Sequence, residues 1–427
     1  MDLLLKFLAK GIERSNIGGH ASGIRQDLAY GWTDYSMKLT SPFKLLCATG
    51  LFALFSSTIS KSPVLPLFAT SLGADPSGVG LVASVSAFMG VVASIPAGIL
   101  SDRWGRKRML IASSFVFATA PFLYLLVTDI WQLAAVRFYH GLATAIFVPI
   151  GMALVSDLFH QERGEKMGWF STSTLLGRFI APLAGGGILG VLAADPAFSY
   201  RIVYLVCGIA GVMVFILALR IPEASSLQNN GRHWKDSFSI FRSVISDRAI
   251  VITALVEAAI LFAYGTFETF LPLYALQSGL SAYEIGIFLS SHVITLALTK
   301  PFMGKFSDRH GRRPQIFTGA LIGAVSIAGI ALFSTFLPIL CFSILFGLSM
   351  SILTSATAAH IADLSKAEGR GSAMGVLGSV MDIGHTTGPI VAGIIAAAFG
   401  FSYAFVGAGV VLAFTAVLFL QLAAKRA

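Results

Sequence analysis

The sequence GILSDRWGRKR at residues 98–108 decides the fold, because a close copy, GKFSDRHGRR, stands 206 residues later at 304–313. In both copies an apolar stretch runs directly into a Gly-x-x-x-Asp-Arg-x-Gly-Arg pattern. Glycine permits close helix approach and tight turns, and clustered Arg and Lys hold a loop at an anionic membrane surface. The doubled pattern therefore indicates that one membrane unit occurs twice in the chain.

Three further sequence patterns repeat in the same order and at nearly the same spacing. They are LPLFA at 65–69 and LPLYA at 271–275, RGEKMG at 163–168 and RGSAMG at 370–375, and GRFIAP at 177–182 and GHTTGP at 384–389. Four ordered matches predict two homologous bundles. Two such bundles can rock about the pseudo-twofold axis between them, with a solute site at their interface, as in secondary transporters.

The composition indicates that lipid covers most of the molecular surface. The chain has 427 residues, of which 56% are hydrophobic and only 12% are charged, and its mean hydropathy is +0.80. A soluble domain carries roughly 25% charged residues. Apolar segments able to span a bilayer are expected at 43–72, 77–101, 108–128, 131–158, 166–192, 201–220, 249–277, 283–306, 314–333, 337–361, 371–398 and 401–423. The predicted fold is an all-α membrane protein of twelve transmembrane helices.

The net charge of +9 could indicate a nucleic-acid partner, but its placement argues against one. Basic residues cluster in alternate loops, at 103–108, 220–248, 305–313 and 366–370, and Arg201 is the exception in the other loops. Because Lys and Arg mark cytoplasmic loops, both termini are predicted to lie in the cytoplasm. We expect a lipid bilayer as partner and no nucleic acid.

The polar segments divide the chain into predicted domains. A cytoplasmic segment, 1–42, precedes a six-helix bundle at 43–220, and a cytoplasmic linker, 221–248, leads to a second bundle at 249–423 and a tail at 424–427. Within 1–14, Leu and Ile alternate with Lys and Arg at helical spacing. That pattern fits either a helix lying on the cytoplasmic leaflet or a frayed tail.

The doubled basic loop resembles the signature loop of the major facilitator superfamily, over about residues 43–423. The resemblance implies two pseudo-symmetric six-helix bundles and a loop that latches one conformation of the transport cycle. The latch residues implied are Gly98, Asp102, Arg103, Gly105, Arg106, Gly304, Asp308, Arg309, Gly311 and Arg312.

The fifth predicted span resembles a segment that marks the antiporter and exporter branch of this superfamily. Gly and Pro there allow helices to pack closely and to bend as gates. Ala181 replaces the usual Gly, and Arg178 stands where that branch has a small or apolar residue. The gate residues implied in the two copies are Gly177, Ala181, Pro182, Gly186, Gly384, Gly388 and Pro389.

Ionisable residues inside the spans are the candidates for coupling and substrate binding, because charge in lipid is costly and faces the protein interior. They are Lys61, Arg137, His140, Arg178, Glu257, Glu268, His292, Asp382 and His385. Arg137 resembles an Arg-x-x-x-Gly segment of the superfamily, and the second copy has Ser343 in its place.

Two pairs of these ionisable residues are placed where they could interact. Lys61 and Glu268 lie at matching depths in the first and seventh spans, which line the central cavity of the fold, and could pair in one state. Asp382 has His385 less than one turn away. Because a carboxyl group in a low dielectric favours its neutral form, Glu257, Glu268 or Asp382 could carry a proton.

Other chemistries find little support in the sequence. The segment beginning Gly304-Lys305-Phe306 lacks the hydroxyl and the leading Gly of a phosphate-binding loop, and no histidine spacing suggests metal ligands. We therefore expect no enzyme activity, no metal and no cofactor.

Taken together, these features predict a secondary active transporter that moves a small solute by alternating access. We predict proton-coupled efflux across a bacterial inner membrane by a protein that functions as a monomer. One alternative is an importer or symporter of an anionic or metal-chelate solute such as a siderophore. The other is a non-transporting receptor or scaffold on the same fold.

Overall fold

A computed structural model of the protein describes residues 41–159, 162–223, 247–365 and 370–424. The predicted N-terminal interfacial helix, most of the linker and the C-terminal tail lie outside the described residues. The described part is helical and contains no strand. The first half comprises α1 (Pro42–Ile59), α2 (Val64–Ser71), α3 (Pro76–Trp104), α4 (Arg106–Leu123), α5 (Ile130–Leu158), α6 (Arg163–Val191) and α7 (Pro196–Arg220). The second comprises α8 (Arg248–Gln277), α9 (Ala282–His310), α10 (Arg312–Ile330), α11 (Phe336–Leu364), α12 (Arg370–Phe399) and α13 (Phe401–Ala424).

Twelve segments are long and apolar enough to cross a membrane, which confirms the predicted number of spans. The first of them, Pro42–Ser71, contains both α1 and α2. Residues 60–63 form a turn between these two helices. Pro63 has no N–H to donate and disfavours helical backbone at Ser62, so the continuous apolar segment predicted at 43–72 is broken.

The helix boundaries follow local capping signals. Asp195 accepts a hydrogen bond from the Phe198 N–H at 3.0 Å, and Pro196 occupies the first turn of α7. An Asp cap followed by Pro is a strong start signal. This cap explains why α7 begins at Pro196, five residues before the predicted start at residue 201.

Both basic turns have the same backbone conformation. Gly105 separates α3 from α4 with φ of 94°, and Gly311 separates α9 from α10 with φ of 90°. A side chain is strained at such positive φ values, so the repeated glycines are required by the turn itself. We call the end of the molecule that carries these turns the basic side.

The described residues from 45 onward belong to one compact unit, in which the two halves meet mainly where α3 packs on α12 and α6 packs on α9. Helix α8 makes smaller contacts with α2 and α3. A Cβ added at Gly186 would lie 2.9 Å from the Gly286 Cα, and one added at Gly393 would lie 3.3 Å from the Gly80 Cα. Gly393 is 207 residues after Gly186, and Gly286 is 206 residues after Gly80. The two seams therefore repeat each other, and both lie toward the side opposite the basic turns. The division into two domains stays a prediction.

Candidate functional site

Three ionisable side chains meet where the two halves face each other. Lys61 lies in the turn between α1 and α2, Glu268 on α8 and His385 on α12. The Lys61 Nζ lies 2.9 Å from the Glu268 Oε2, and the His385 Nε2 lies 3.4 Å from the same oxygen. This Lys61–Glu268–His385 cluster joins the halves through one carboxylate, and it contains the Lys61–Glu268 pair predicted from matching depths.

The C-terminal half holds Glu268 in place with aromatic neighbours. Tyr264, one turn earlier on α8, donates from its hydroxyl to the Glu268 Oε1 at 3.3 Å. The Tyr264 ring lies 5.5 Å from the His385 ring and stacks on the His292 ring at 5.2 Å. His292 is only 1% exposed and packs against Phe346 at 5.2 Å. His292 thus supports Tyr264 from inside the half and does not contact the cluster carboxylate.

Arg137 lies inside the N-terminal half, as predicted, and its hydrogen-bonding partner is a tyrosine. Its Nη1 donates to the Tyr124 hydroxyl at 3.4 Å, and the His140 Nδ1 lies 3.3 Å from that same hydroxyl. Tyr124 stacks on Tyr204 at 4.3 Å. Arg137 is 3% exposed, and its Nε has no hydrogen-bond partner among the described residues. Among the described residues, no carboxylate forms an ion pair with the buried guanidinium of Arg137.

Arg178 lies near the middle of α6 and is exposed. Its neighbour Gly177 packs on α1, where an added Cβ would lie 2.9 Å from the Phe55 N, whereas Gly186 packs on α9. By helical geometry Arg178 lies between those two faces, pointing into the groove between α1 and α9. Arg178 makes no ion pair within the described residues.

Asp382 and Glu257 lie apart from the cluster. Asp382 faces α3, and a Cβ added at Gly90 would lie 2.9 Å from the Asp382 Oδ2. Glu257 is 1% exposed, and the Thr357 hydroxyl contacts its Oε2. His385 faces α8 and contacts Glu268, and the described residues contain no ion pair between Asp382 and His385, so that pairing stays a prediction.

The gate segments lie where helix backbones touch. Added Cβ atoms at Gly384 and Gly388 would lie 2.9 Å from the Ala258 Cα and 3.0 Å from the Phe262 Cα. In α6, Pro182 and Gly186 face α9, and Ala181 is fully buried. Pro389 packs within 2.8 Å of a Cβ built on Gly265. The small residues of both segments therefore allow close helix packing, and their role as gates stays a prediction.

The basic turns form ion pairs that the sequence analysis missed. The Arg106 Nη1 lies 2.5 Å from the Asp157 Oδ2, and the Arg312 Nε lies 3.1 Å from the Asp363 Oδ2. Arg312 also contacts the Asp308 Oδ1 at 2.6 Å. Asp363 follows Asp157 by 206 residues, so the repeat offset could have found both.

The other implied latch residues are described in part. Arg103 and Arg309 are exposed, and nothing lies within 4 Å of a Cβ built on Gly304. The surroundings of Gly98 and the side chain of Asp102 lie outside the described residues. The described chain contains no group of three His, Cys, Asp or Glu side chains that could hold a metal ion.

Comparison with known proteins places this arrangement in a family. A family model described as the Major Facilitator Superfamily matches residues 45–293 and 277–426. The chain is 28% identical over 361 residues to Multidrug resistance protein MdtG of Citrobacter koseri, covering 82% of this chain and 87% of that protein. It is 24% identical over 339 residues to an uncharacterized MFS-type transporter of Methanocaldococcus jannaschii, covering 78% and 86%.

A solved structure supports the same fold. The inward-facing, unoccupied crystal structure of a bacterial homolog to the human lysosomal transporter Spinster matches with a TM-score of 0.76. Its sequence is 16% identical, and the match covers 90% of this chain and 97% of that chain. These relatives and the structural neighbour are transporters rather than enzymes.

Proposed function

The chain belongs to the Major Facilitator Superfamily and is a multi-pass membrane transporter of small solutes, and we propose that it couples solute efflux to proton entry. The relative named Multidrug resistance protein MdtG supports the efflux direction. The paired glycine seams support alternating access, because two halves in contact over small residues can separate without unfolding either half.

The observation that carries the proposal is the Lys61–Glu268–His385 cluster. Its single carboxylate is held by a cation from the first half and by an imidazole from the second. Protonation of Glu268 removes the charge that attracts Lys61, so it weakens one link between the halves. A proton thereby acts as a ligand with different affinity for the two conformations, which is the requirement for coupling.

The proposed orientation places the basic side in the cytoplasm. The close glycine contacts on the opposite side, together with the exposed Arg178 in mid-helix, support a cavity open to the cytoplasm. An exporter loads its solute in that state. A cysteine introduced at Asn230 should resist a membrane-impermeant thiol reagent in intact cells, and its labelling from outside would contradict this orientation.

Reconstituted flux tests the proposed function. Purified protein is placed in liposomes with an imposed pH gradient, and proton movement is followed with an internal pH dye. Cationic dyes, organic anions and iron chelates are added in turn. We expect at least one solute to release protons down the gradient in a protein-dependent manner. Solute movement with no proton movement would refute coupling, and no movement of any solute would favour a receptor or scaffold.

A second candidate, import of an anionic or metal-chelate solute, is favoured by one specific observation. Of the cations Lys61, Arg137 and Arg178 in the spans of the N-terminal half, only Lys61 forms an ion pair within the described residues. The direction of net flux under the same gradient separates import with protons from exchange against them.

A further inference from the structure

The cations Lys61, Arg137 and Arg178 lie within membrane spans of the N-terminal half, and among the three only Lys61 forms an ion pair with a carboxylate of the described chain, that of Glu268. We propose that the solute carries an anionic group, a carboxylate, sulfonate or phosphonate, that binds Arg178 and is drawn toward Arg137. This inference names the solute class for the transport function proposed above, and rests on it.

None of the acidic side chains near Arg178 forms an ion pair with it among the described residues. Glu268 is shared by Lys61 and His385. Asp382 lies against Gly90 of α3, and Glu257 is buried inside the C-terminal half against Thr357. Arg178 is thus a membrane-embedded cation without a carboxylate partner in the described part of the chain. Such charges in membrane proteins mark substrate and ion pathways.

The geometry of Arg178 suits an anion that arrives from solution. Its position between the α1-facing and α9-facing sides of α6 puts the guanidinium at the boundary of the two halves, and it is exposed there. A guanidinium presents a planar fork that matches two oxygens of a carboxylate, sulfonate or phosphonate. A cationic solute would meet the charges of Arg178, Arg137 and Lys61 together, which disfavours it.

The aromatic surroundings suggest the rest of the ligand. Tyr264 holds Glu268 at the boundary of the two halves, and its ring lies beside those of His385 and His292. An aryl group next to the anion could pack against this stack. A small aromatic acid therefore combines the two features that the groove offers, and benzenesulfonate and benzoate are suitable probes.

The test measures binding of four probes to purified protein by calorimetry at fixed chloride concentration. The probes are benzenesulfonate, benzoate, the neutral benzamide and the cationic benzylammonium. We expect the two anions to bind and benzamide and benzylammonium to bind at least about tenfold more weakly. Arg178→Gln should weaken anion binding about tenfold or more, and Arg178→Lys should weaken it less, because it keeps the charge but loses the fork.

The matched control is Arg201→Gln, which removes an exposed arginine at the start of α7, outside the cavity. Its anion affinity should equal that of the wild type. Thermal unfolding of each variant without probe shows that the fold is intact, and Arg178→Lys remains informative if Arg178→Gln does not fold. Equal binding of benzylammonium and benzoate, no anion binding, or an unchanged anion affinity in Arg178→Gln would overturn the inference.

The pH-gradient liposomes separate this inference from the proposed function. If tetraphenylphosphonium moves protons while neither anion binds, the transport function stands and the anionic solute class is wrong. If the anions bind in an Arg178-dependent manner and no solute moves protons, the binding site stands and proton-coupled transport is wrong.

Discussion

Arg106 pairs with Asp157 in the N-terminal half, and 206 residues later Arg312 pairs with Asp363 in the C-terminal half. The cavity positions show no such repetition. Arg178 corresponds to His385 by the repeat offset, Arg137 to Ser343 and Ser62 to Glu268. The turns and the glycine seams have been kept in both copies, whereas the ionisable groups of the cavity differ between them.

This difference separates what the fold needs from what transport needs. Two rocking halves require equivalent turns and equivalent close contacts, so these features repeat. A solute and a proton must each contact a particular chemical group, so the ionisable residues at corresponding positions of the two halves need not match. The N-terminal half contributes the cations Lys61, Arg137 and Arg178. The C-terminal half contributes the Glu268 carboxylate, which pairs with Lys61.

The largest effect is expected at the repeated glycine seams. Gly186→Val and Gly393→Val would each push side-chain atoms into the facing backbone, since a Cβ alone would lie 2.6 Å from the Ala282 O or the Pro76 O. The added side chain would destabilise the conformation in which the seam is closed by about 1–3 kcal/mol. That cost shifts the equilibrium between the closed-seam and open-seam conformations roughly 5–150-fold. We expect both variants to lose at least about nine-tenths of the initial transport rate in liposomes.

Gly187→Val is the matched control, because nothing lies within 4 Å of a Cβ built on Gly187. It should transport like the wild type. A strong defect in only one of the two seam variants would contradict the equivalence of the seams.

A smaller and unequal effect is expected at the basic turns. Asp157→Asn removes the carboxylate that pairs with Arg106, whereas after Asp363→Asn, Arg312 keeps Asp308 at 2.6 Å. These groups are partly exposed, so the lost pair is worth about 1 kcal/mol, or roughly a fivefold change in rate. We expect Asp157→Asn to slow transport about fivefold and Asp363→Asn less than twofold. Equal defects would show that Asp308 does not compensate.

The smallest effect is expected for substitution of Glu257, whose side chain lies inside the C-terminal half. Glu257 contacts Thr357 in the interior of the C-terminal half and does not touch the N-terminal half in the described structure. Glu257→Gln keeps the shape of the side chain and a polar contact to Thr357, so proton-driven flux should change less than about twofold. Loss of coupling in this variant would show that the proton binds at Glu257, inside the C-terminal half, rather than at the boundary between the halves.

The lengths of the apolar segments were sufficient to predict the twelve spans. The offset between the two copies was sufficient to predict the contact between Lys61 and Glu268. The break near Pro63 was missed because apolarity continues through it. Tyr264 was missed because one tyrosine among 10 tyrosines and 34 phenylalanines carries no distinguishing pattern. The contact between His385 and Glu268 was not predicted, because proximity along a helix does not fix which neighbouring helix a side chain faces.

The most direct test of the account compares uphill flux with equilibrium exchange for Glu268→Gln. The variant is reconstituted in liposomes and assayed with whichever of benzoate and tetraphenylphosphonium the wild type transports. Glutamine fills the same space but cannot gain or lose a proton at the Lys61 contact. We expect solute accumulation along a pH gradient to be lost while exchange without a gradient persists. Accumulation at the wild-type level would show that the carboxylate joining the two halves does not carry the proton.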